Sequence, residues 1–267
     1  MARPDQPSDP PKQVLHLATG PVHYSDVGSG APIVALHGSP GSGRDFRWLA
    51  PVLEPHFRVI RPDLSGHGAT PPHGRSHWTI PGRAEFTVRF LAALELRDVT
   101  LVGHSIGGPV AMEAALASPD RVARVAVISS IGMRKHQVLR GKPVRAVSTA
   151  LNLPILGPLL VPGLRAGIRA AGFPRSTPDH EAVDSVHAVA RVDFKERAAT
   201  VRALAAAATS TLAVWSEDDP IIERSIFEEL AAALPPGPRL VFADGHHNPQ
   251  KTHAVEIGAA LREFAQG

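Results

Sequence analysis

The stretch Val99-Thr100-Leu101-Val102-Gly103-His104-Ser105-Ile106-Gly107-Gly108-Pro109-Val110-Ala111-Met112 decides how the rest of the chain is read. Its first four residues form a short apolar run of the kind that becomes a buried strand, and Pro109 to Ala117 carry a helical pattern. Between them, Gly103 to Gly107 satisfy G-x-S-x-G in the strand, turn and helix context that gives the pattern meaning. Gly103 and Gly107 lack the Cβ atoms that collide when the backbone folds back sharply. Such a turn pushes the Ser105 hydroxyl into the open at a strain of about 1–3 kcal/mol, a cost that makes sense where the oxygen is used. Read without chemistry, the same glycines simply allow a tight start to a helix.

Working outward, similar short runs recur at Pro32 to Leu36, Phe57 to Arg61, Val125 to Ile128, Thr211 to Trp215 and Arg239 to Phe242. Helical patterns lie at Asp45 to Leu53, Thr79 to Leu94, Ile106 to Ala117, Ser225 to Leu234 and His253 to Phe264. Strands alternating with helices imply right-handed crossovers and an α/β fold: a mostly parallel central sheet covered by helices on both faces. Val14 to Leu17 and Val22 to Ser25 alternate apolar with polar around Ala18-Thr19-Gly20-Pro21, the signature of a hairpin at a sheet edge. The alternation stops between Gly132 and Thr209, so residues 133–209 read as a helical insertion into a core domain of residues 14–132 and 210–267. Pro154, Pro158 and Pro162 predict that part of the insertion is short broken helices.

Composition narrows the class. The 267 residues carry 28 Lys and Arg against 25 Asp and Glu, with 43% hydrophobic positions, which excludes a disordered or collagen-like chain. No cysteine is present, which removes disulfides, thiolate zinc sites, iron-sulfur clusters and cysteine nucleophiles together. The pI near 9.7 suggests a nucleic-acid partner, but the arginines read as scattered among acids with no basic stripe, so none is expected. Residues 1–13 hold four prolines among polar residues and no apolar core of a signal peptide, and read as a loose tail. The most apolar stretch, Ala150 to Leu164, is cut by prolines and glycines, so no membrane span is expected and the protein is read as soluble and cytoplasmic.

A serine hydroxyl is a weak nucleophile until a base takes its proton, and the base needs an acid to hold its tautomer. Ser216-Glu217-Asp218-Asp219-Pro220 follows the strand Thr211 to Trp215, and Ala243-Asp244-Gly245-His246-His247 follows the strand Arg239 to Phe242. Both segments end at carboxyl termini of strands, the edge at which a parallel sheet binds ligands. The order Ser, Asp, His is the one expected when G-x-S-x-G sits on such a sheet.

On these residues the chain resembles the α/β-hydrolase fold superfamily, as a serine-nucleophile, esterase-like member with a helical cap, from Val14 to Phe264 outside the insertion. His37-Gly38-Ser39-Pro40 is similar to the family's oxyanion-hole turn. The likeness implies that the backbone amides of Ser39 and Ile106 face the developing oxyanion, where one donor is typically worth about 3–4 kcal/mol. Asp63-Leu64-Ser65-Gly66-His67-Gly68 resembles the turn after the next strand, with structural roles for Asp63 and His67. Family spacing selects Asp219 as the acid, with Asp218 second. The family's histidine usually follows a glycine, which selects His246; His247 is the base instead if the loop is displaced by one residue.

The resemblance implies hydrolysis of an acyl bond through an acyl-enzyme, with Ser105, Asp219 and His246 as the triad and no cofactor. A carbon-carbon bond hydrolase and a cofactor-free perhydrolase use the same three side chains, and some proteins of this fold bind ligands with little turnover. Relatives that cleave carbon-halogen bonds or epoxides use an aspartate nucleophile, against which Ser105 argues. Fourteen histidines invite a metal reading, yet no H-E-x-x-H motif is present and no metal is expected. Leu151, Leu153, Ile155, Leu156, Leu159, Leu160, Val161 and Leu164 of the insertion point to a hydrophobic small-molecule ester or lactone, and serve equally well to pack the cap onto the core. Arg165, Arg169 and Arg175 offer partners for a substrate carboxylate, although arginines of this kind are more often solvated.

Overall fold

The computed structural model describes residues 7–170, 173 and 175–266. Strands β1 (Gln13–Leu17) and β2 (Gly20–Val27) form the antiparallel hairpin that their alternating side chains call for. It continues into β3 (Pro32–Leu36), β4 (Arg58–Pro62), β5 (Val99–His104), β6 (Val122–Ile128), β7 (Ser210–Ser216) and β8 (Arg239–Phe242), which pair in parallel. The sheet order is β1-β2-β4-β3-β5-β6-β7-β8, with β2 antiparallel to β4. The chain leaves β3 in one direction to build β4 and returns to its other side to build β5. That reversal opens a crevice at the carboxyl ends of β3 and β5, where ligands enter open parallel sheets.

The helices are α1 (Ala50–Leu53), α2 (Ile80–Ala93), α3 (Gly107–Ala117), α4 (Val144–Leu151), α5 (Leu156–Ala170), α6 (Asp179–Ala190), α7 (Phe194–Ala206), α8 (Arg224–Ala233), α9 (Pro249–Thr252) and α10 (Ala254–Gln266). Successive strand residues point to opposite faces, so Val34, Leu36, Leu101, Val125 and Val127 pack with Phe86 and Phe90 of α2 and Val110 of α3. Ile33, Ala35, Val102, Ala126 and Ile128 pack on the other face with Leu53 of α1 and Ile257 and Leu261 of α10. Burial on both faces is why these strands read as continuous apolar runs.

The insertion between β6 and β7 comprises α4 to α7. Helix α7 belongs with the core layers: Val201 and Leu204 are buried in the same cluster as α3, and Arg197 pairs with Glu113. Helices α4 to α6 stand away from the sheet, tied back through α6. The Gly68 amide donates to Glu181 Oε1 at 2.9 Å, Trp78 Nε1 donates to Asp184 Oδ1 at 2.8 Å, and Ser185 Oγ lies 3.1 Å from Ser39 Oγ.

Three local expectations are corrected. Asp45 to Leu53 is not one helix but a 3-10 turn, Gly43–Phe46, followed by the single turn α1, because Pro51 fits only the first turn of a helix. Helix α5 instead runs through Pro162 for 15 residues; Pro158 and Pro162 are both exposed, so water can reach the carbonyl that Pro162 leaves without a donor. Part of the N-terminal tail is pinned: Asp9 accepts from the buried Arg61 at 3.1 Å and Lys12 pairs with Asp63. Residues 1–6 of that tail lie outside the described residues.

Candidate active site

Ser105 follows the last residue of β5 and precedes α3, with a φ of 53° in the left-handed region. Its amide donates to the Ile128 carbonyl at 2.9 Å, and its own carbonyl accepts from Gly108 at 3.1 Å, so a sterically costly conformation is held at both ends. Close packing makes the turn possible. A Cβ on Gly103 would lie 2.3 Å from the Gly107 carbonyl oxygen, and one on Gly107 would lie 2.3 Å from the Leu36 carbonyl oxygen. Gly103→Ala is accordingly expected to cost at least about 2 kcal/mol, read as a lower urea midpoint at unchanged slope. An unchanged midpoint would show that the turn relaxes without penalty.

His247 Nε2 lies 2.9 Å from Ser105 Oγ, and His247 Nδ1 lies 2.7 Å from Asp219 Oδ2. The carboxylate can only accept, so Nδ1 carries the proton and Nε2 is free to accept from the serine. Asp219 Oδ1 accepts from the Ile221 amide at 2.8 Å and the Ile222 amide at 3.1 Å. Burial pushes the Asp219 carboxyl up, but the His247 hydrogen bond and charge and the two amides outweigh it and hold the group below its usual range. The side chains of His247 and Asp219 are 6% and 1% exposed, so this chain of contacts is shielded from bulk water.

The expectation for His246 is corrected. Its side chain is 78% exposed, its Nδ1 lies 2.9 Å from Asp218 Oδ2, and its amide donates to Asp218 Oδ1 at 2.8 Å. Gly245 at φ 135° and His246 at φ 51° turn the loop so that the first histidine leaves the site and the second enters it. The two acids and two histidines pair in register, Asp218 with His246 outside and Asp219 with His247 inside. Asp219, selected over Asp218, is the acid that meets the inner imidazole.

His104 supports this loop from below. Its Nε2 donates to the His247 carbonyl at 2.7 Å and the two rings lie 5.0 Å apart. In the sequence His104 is merely the variable position of the motif, and nothing local marks this contact. On the other side of Ser105, Gly38 approaches so closely that a Cβ there would lie 3.1 Å from the serine Cβ. This brings the turn after β3 against Ser105. Ser39 Oγ lies 2.8 Å from His67 Nε2, and Ile106 precedes the first turn of α3 with no side-chain cap on it. Asp63 accepts from the amides of Gly43 at 3.0 Å and Ala69 at 2.8 Å, which ties the turn after β4 to the turn after β3.

Four buried imidazoles surround this framework. Burial pushes His104 down to about 3 and His136 down to about 4, lowers His37, and pushes His67 well below its usual value. Each is neutral in the fold and titrates near 6.5 once unfolded. The unfolded chain therefore binds more protons than the fold below that value, and stability is lost as the pH falls from 6.5 toward the folded values. The urea midpoint should drop between about pH 7 and about pH 5, each imidazole contributing up to about 1.4 kcal/mol per pH unit. A midpoint constant over that interval would contradict the neutral assignment.

The apolar side chains of the insertion do not form one inward wall. Leu153, Ile155, Leu156 and Leu159 are 49%, 82%, 41% and 70% exposed, while Leu151, Leu160, Val161 and Leu164 are half-buried. The first four therefore say nothing about substrate. Arg165 is paired with Asp179, and Arg169 and Arg175 are exposed. Among the described residues no group of three or more His, Asp or Glu side chains is placed to hold a metal ion, and no helix is long and apolar enough to cross a membrane.

The chain belongs to the alpha/beta hydrolase fold family, which it matches over residues 31–179. It is 40% identical over 112 residues to the 2-hydroxy-6-oxo-2,4-heptadienoate hydrolase of Pseudomonas putida, a match that spans 40% of each chain and so less than half of that relative's length. It is 26% identical over 265 residues to the pimeloyl-acyl-carrier-protein methyl ester esterase of Aliivibrio fischeri, covering 92% of this chain and 98% of that one. An esterase from Exiguobacterium antarcticum has the same fold, with a TM-score of 0.75 at 19% identity over 95% of this chain and 99% of the other.

Proposed function

We propose that the protein is a serine hydrolase that opens an acyl bond of a small ester or lactone through an acyl-enzyme. The observation that carries the reading is the unbroken series Ser105 Oγ, His247, Asp219 at 2.9 and 2.7 Å. His247 Nε2 takes the hydroxyl proton as Ser105 Oγ bonds to the acyl carbon, and the Asp219 carboxylate stabilises the imidazolium that forms. The negative charge moves to the former carbonyl oxygen, which the Ser39 and Ile106 amides and the positive end of α3 stabilise. Collapse expels the leaving group, protonated by His247. Water then repeats the sequence on the acyl-enzyme with the same imidazole as base and restores Ser105.

A carbon-carbon bond hydrolase acting on a vinylogous diketone acid is the second reading, favoured by the identity to the Pseudomonas putida relative. In that case the bond broken is to carbon, and the proton from His247 goes to the departing carbon. The cap of α4 to α6, tied to the Ser39 turn through Ser185, is where the two substrate classes would be told apart. Turnover of a panel of short p-nitrophenyl esters, lactones and a vinylogous diketone acid tests both, together with labelling by a fluorophosphonate. Labelling at Ser105 with ester turnover supports the first reading, and preference for the diketone acid the second. Absence of labelling and of all turnover would leave a ligand-binding protein and remove the hydrolase proposal.

A further inference from the structure

The chain's positive charge reads as scattered over its whole length, but one segment departs from that pattern. Between Asp120 and Asp179 the sequence carries ten Lys and Arg residues and no Asp or Glu, so the net charge of +3 and more resides there. Within it, Arg134 and Arg140 pair with Glu223 and Arg165 pairs with Asp179, all supplied from outside the segment. No carboxylate among the described residues pairs with Lys135, Lys142, Arg145 or Arg169.

The same segment holds the largest concentration of exposed aliphatic side chains. Val147, Leu153, Ile155, Leu156 and Leu159 are 37%, 49%, 82%, 41% and 70% exposed, five of the eight large hydrophobic residues left open among the described ones. Four of them, Leu153 to Leu159, fall within seven residues at the turn from α4 to α5, which is tight: the Gly157 amide donates to the Leu153 carbonyl at 2.9 Å, and a Cβ on Gly157 would lie 2.4 Å from the Leu151 carbonyl oxygen. Helix α4 shows the same inversion, turning Ser148 inward to His187 Nδ1 at 2.7 Å while Val147 faces out. An apolar turn between two helices that carry unpaired cations at their outer ends has the composition of a helix pair that lies in a bilayer interface.

We propose that the corner between α4 and α5 is a reversible docking surface for an anionic lipid bilayer. Ile155 and Leu159 enter the headgroup boundary, and Lys142, Arg145 and Arg169 supply the attraction to acidic headgroups. A second copy of the chain fits less well, since two faces of the same charge repel one another. A nucleic acid fits less well too: residues 133–170 contain no Phe, Tyr or Trp on which a base stacks, and exposed aliphatic groups gain nothing from phosphates. The proposal stands whether or not Ser105 is a nucleophile.

Flotation of the full-length protein with phosphatidylcholine vesicles, with and without phosphatidylglycerol, tests it. The anionic vesicles should retain at least about fivefold more protein at low salt, an excess that disappears as salt is raised. The double variant Ile155→Ser, Leu159→Ser should lose at least about fivefold of that binding, and so should Arg145→Gln, Arg169→Gln, with unchanged melting temperatures. Equal retention on both vesicle types, or full binding by the Ile155/Leu159 variant, would overturn the proposal. So would a dimer in size-exclusion chromatography that Ile155→Ser dissociates while vesicles bind nothing, or a shift of duplex DNA in the absence of vesicle binding.

Discussion

Ser105→Ala is expected to lower the turnover of a p-nitrophenyl ester by roughly a thousandfold or more and to abolish fluorophosphonate labelling, while the stability read from urea unfolding stays within about 1 kcal/mol of the parent. The size follows from what is removed. On the proposed mechanism no acyl-enzyme forms without the hydroxyl, and only the proposed oxyanion donors at Ser39 and Ile106 remain to help water attack directly. Stability is spared because the backbone at position 105 is held by the Ile128 and Gly108 hydrogen bonds, neither of which uses the side chain. Alanine tolerates a φ of 53° no worse than serine does. Turnover equal to the parent in a correctly folded Ser105→Ala protein would dispose of the proposed mechanism, since the acyl-enzyme is formed on that oxygen.

Position along the chain determined what could be read in advance. The sheet and the Ser105 turn were legible because their signals are local: apolar runs of strand length, and two glycines whose missing Cβ atoms a neighbouring backbone occupies. Asp219 was legible because it lies three residues past the end of β7, where the family likeness puts the acid. The histidine was not, because Gly245 permits its φ of 135° with either residue facing inward, and the choice falls to Asp218, which captures both the amide and the ring of His246. That is a contact across 28 residues, invisible to motif spacing. The insertion was legible as helical but not in its facing. A run of leucines reads the same whether it covers a substrate or meets solvent, and only the positions of Ile155 and Leu159 on the outer side decide it. Its charge was hidden by the whole-chain sum, in which acids elsewhere cancel the cations of one segment.

Paired substitutions at the two histidines separate geometry from motif. His247→Ala is expected to lower kcat by roughly a thousandfold or more, whereas His246→Ala should change it by less than about threefold. The first removes the group 2.9 Å from Ser105 Oγ; the second removes an exposed ring whose partner, Asp218, is itself partly open to water. The acids should follow the same division. Asp219→Asn preserves the shape of the side chain but can donate to His247 Nδ1, favouring the tautomer with its proton on Nε2 and leaving nothing to accept from the serine. A loss of roughly a hundred- to ten-thousandfold is expected there, and little change for Asp218→Asn. The reverse pattern, with activity resting on His246 and Asp218, requires the loop from Ala243 to Asn248 to rotate until the outer pair faces the crevice. Such a rotation would forfeit the His104 hydrogen bond to the His247 carbonyl and bury His246 in place of an imidazole already satisfied at both nitrogens.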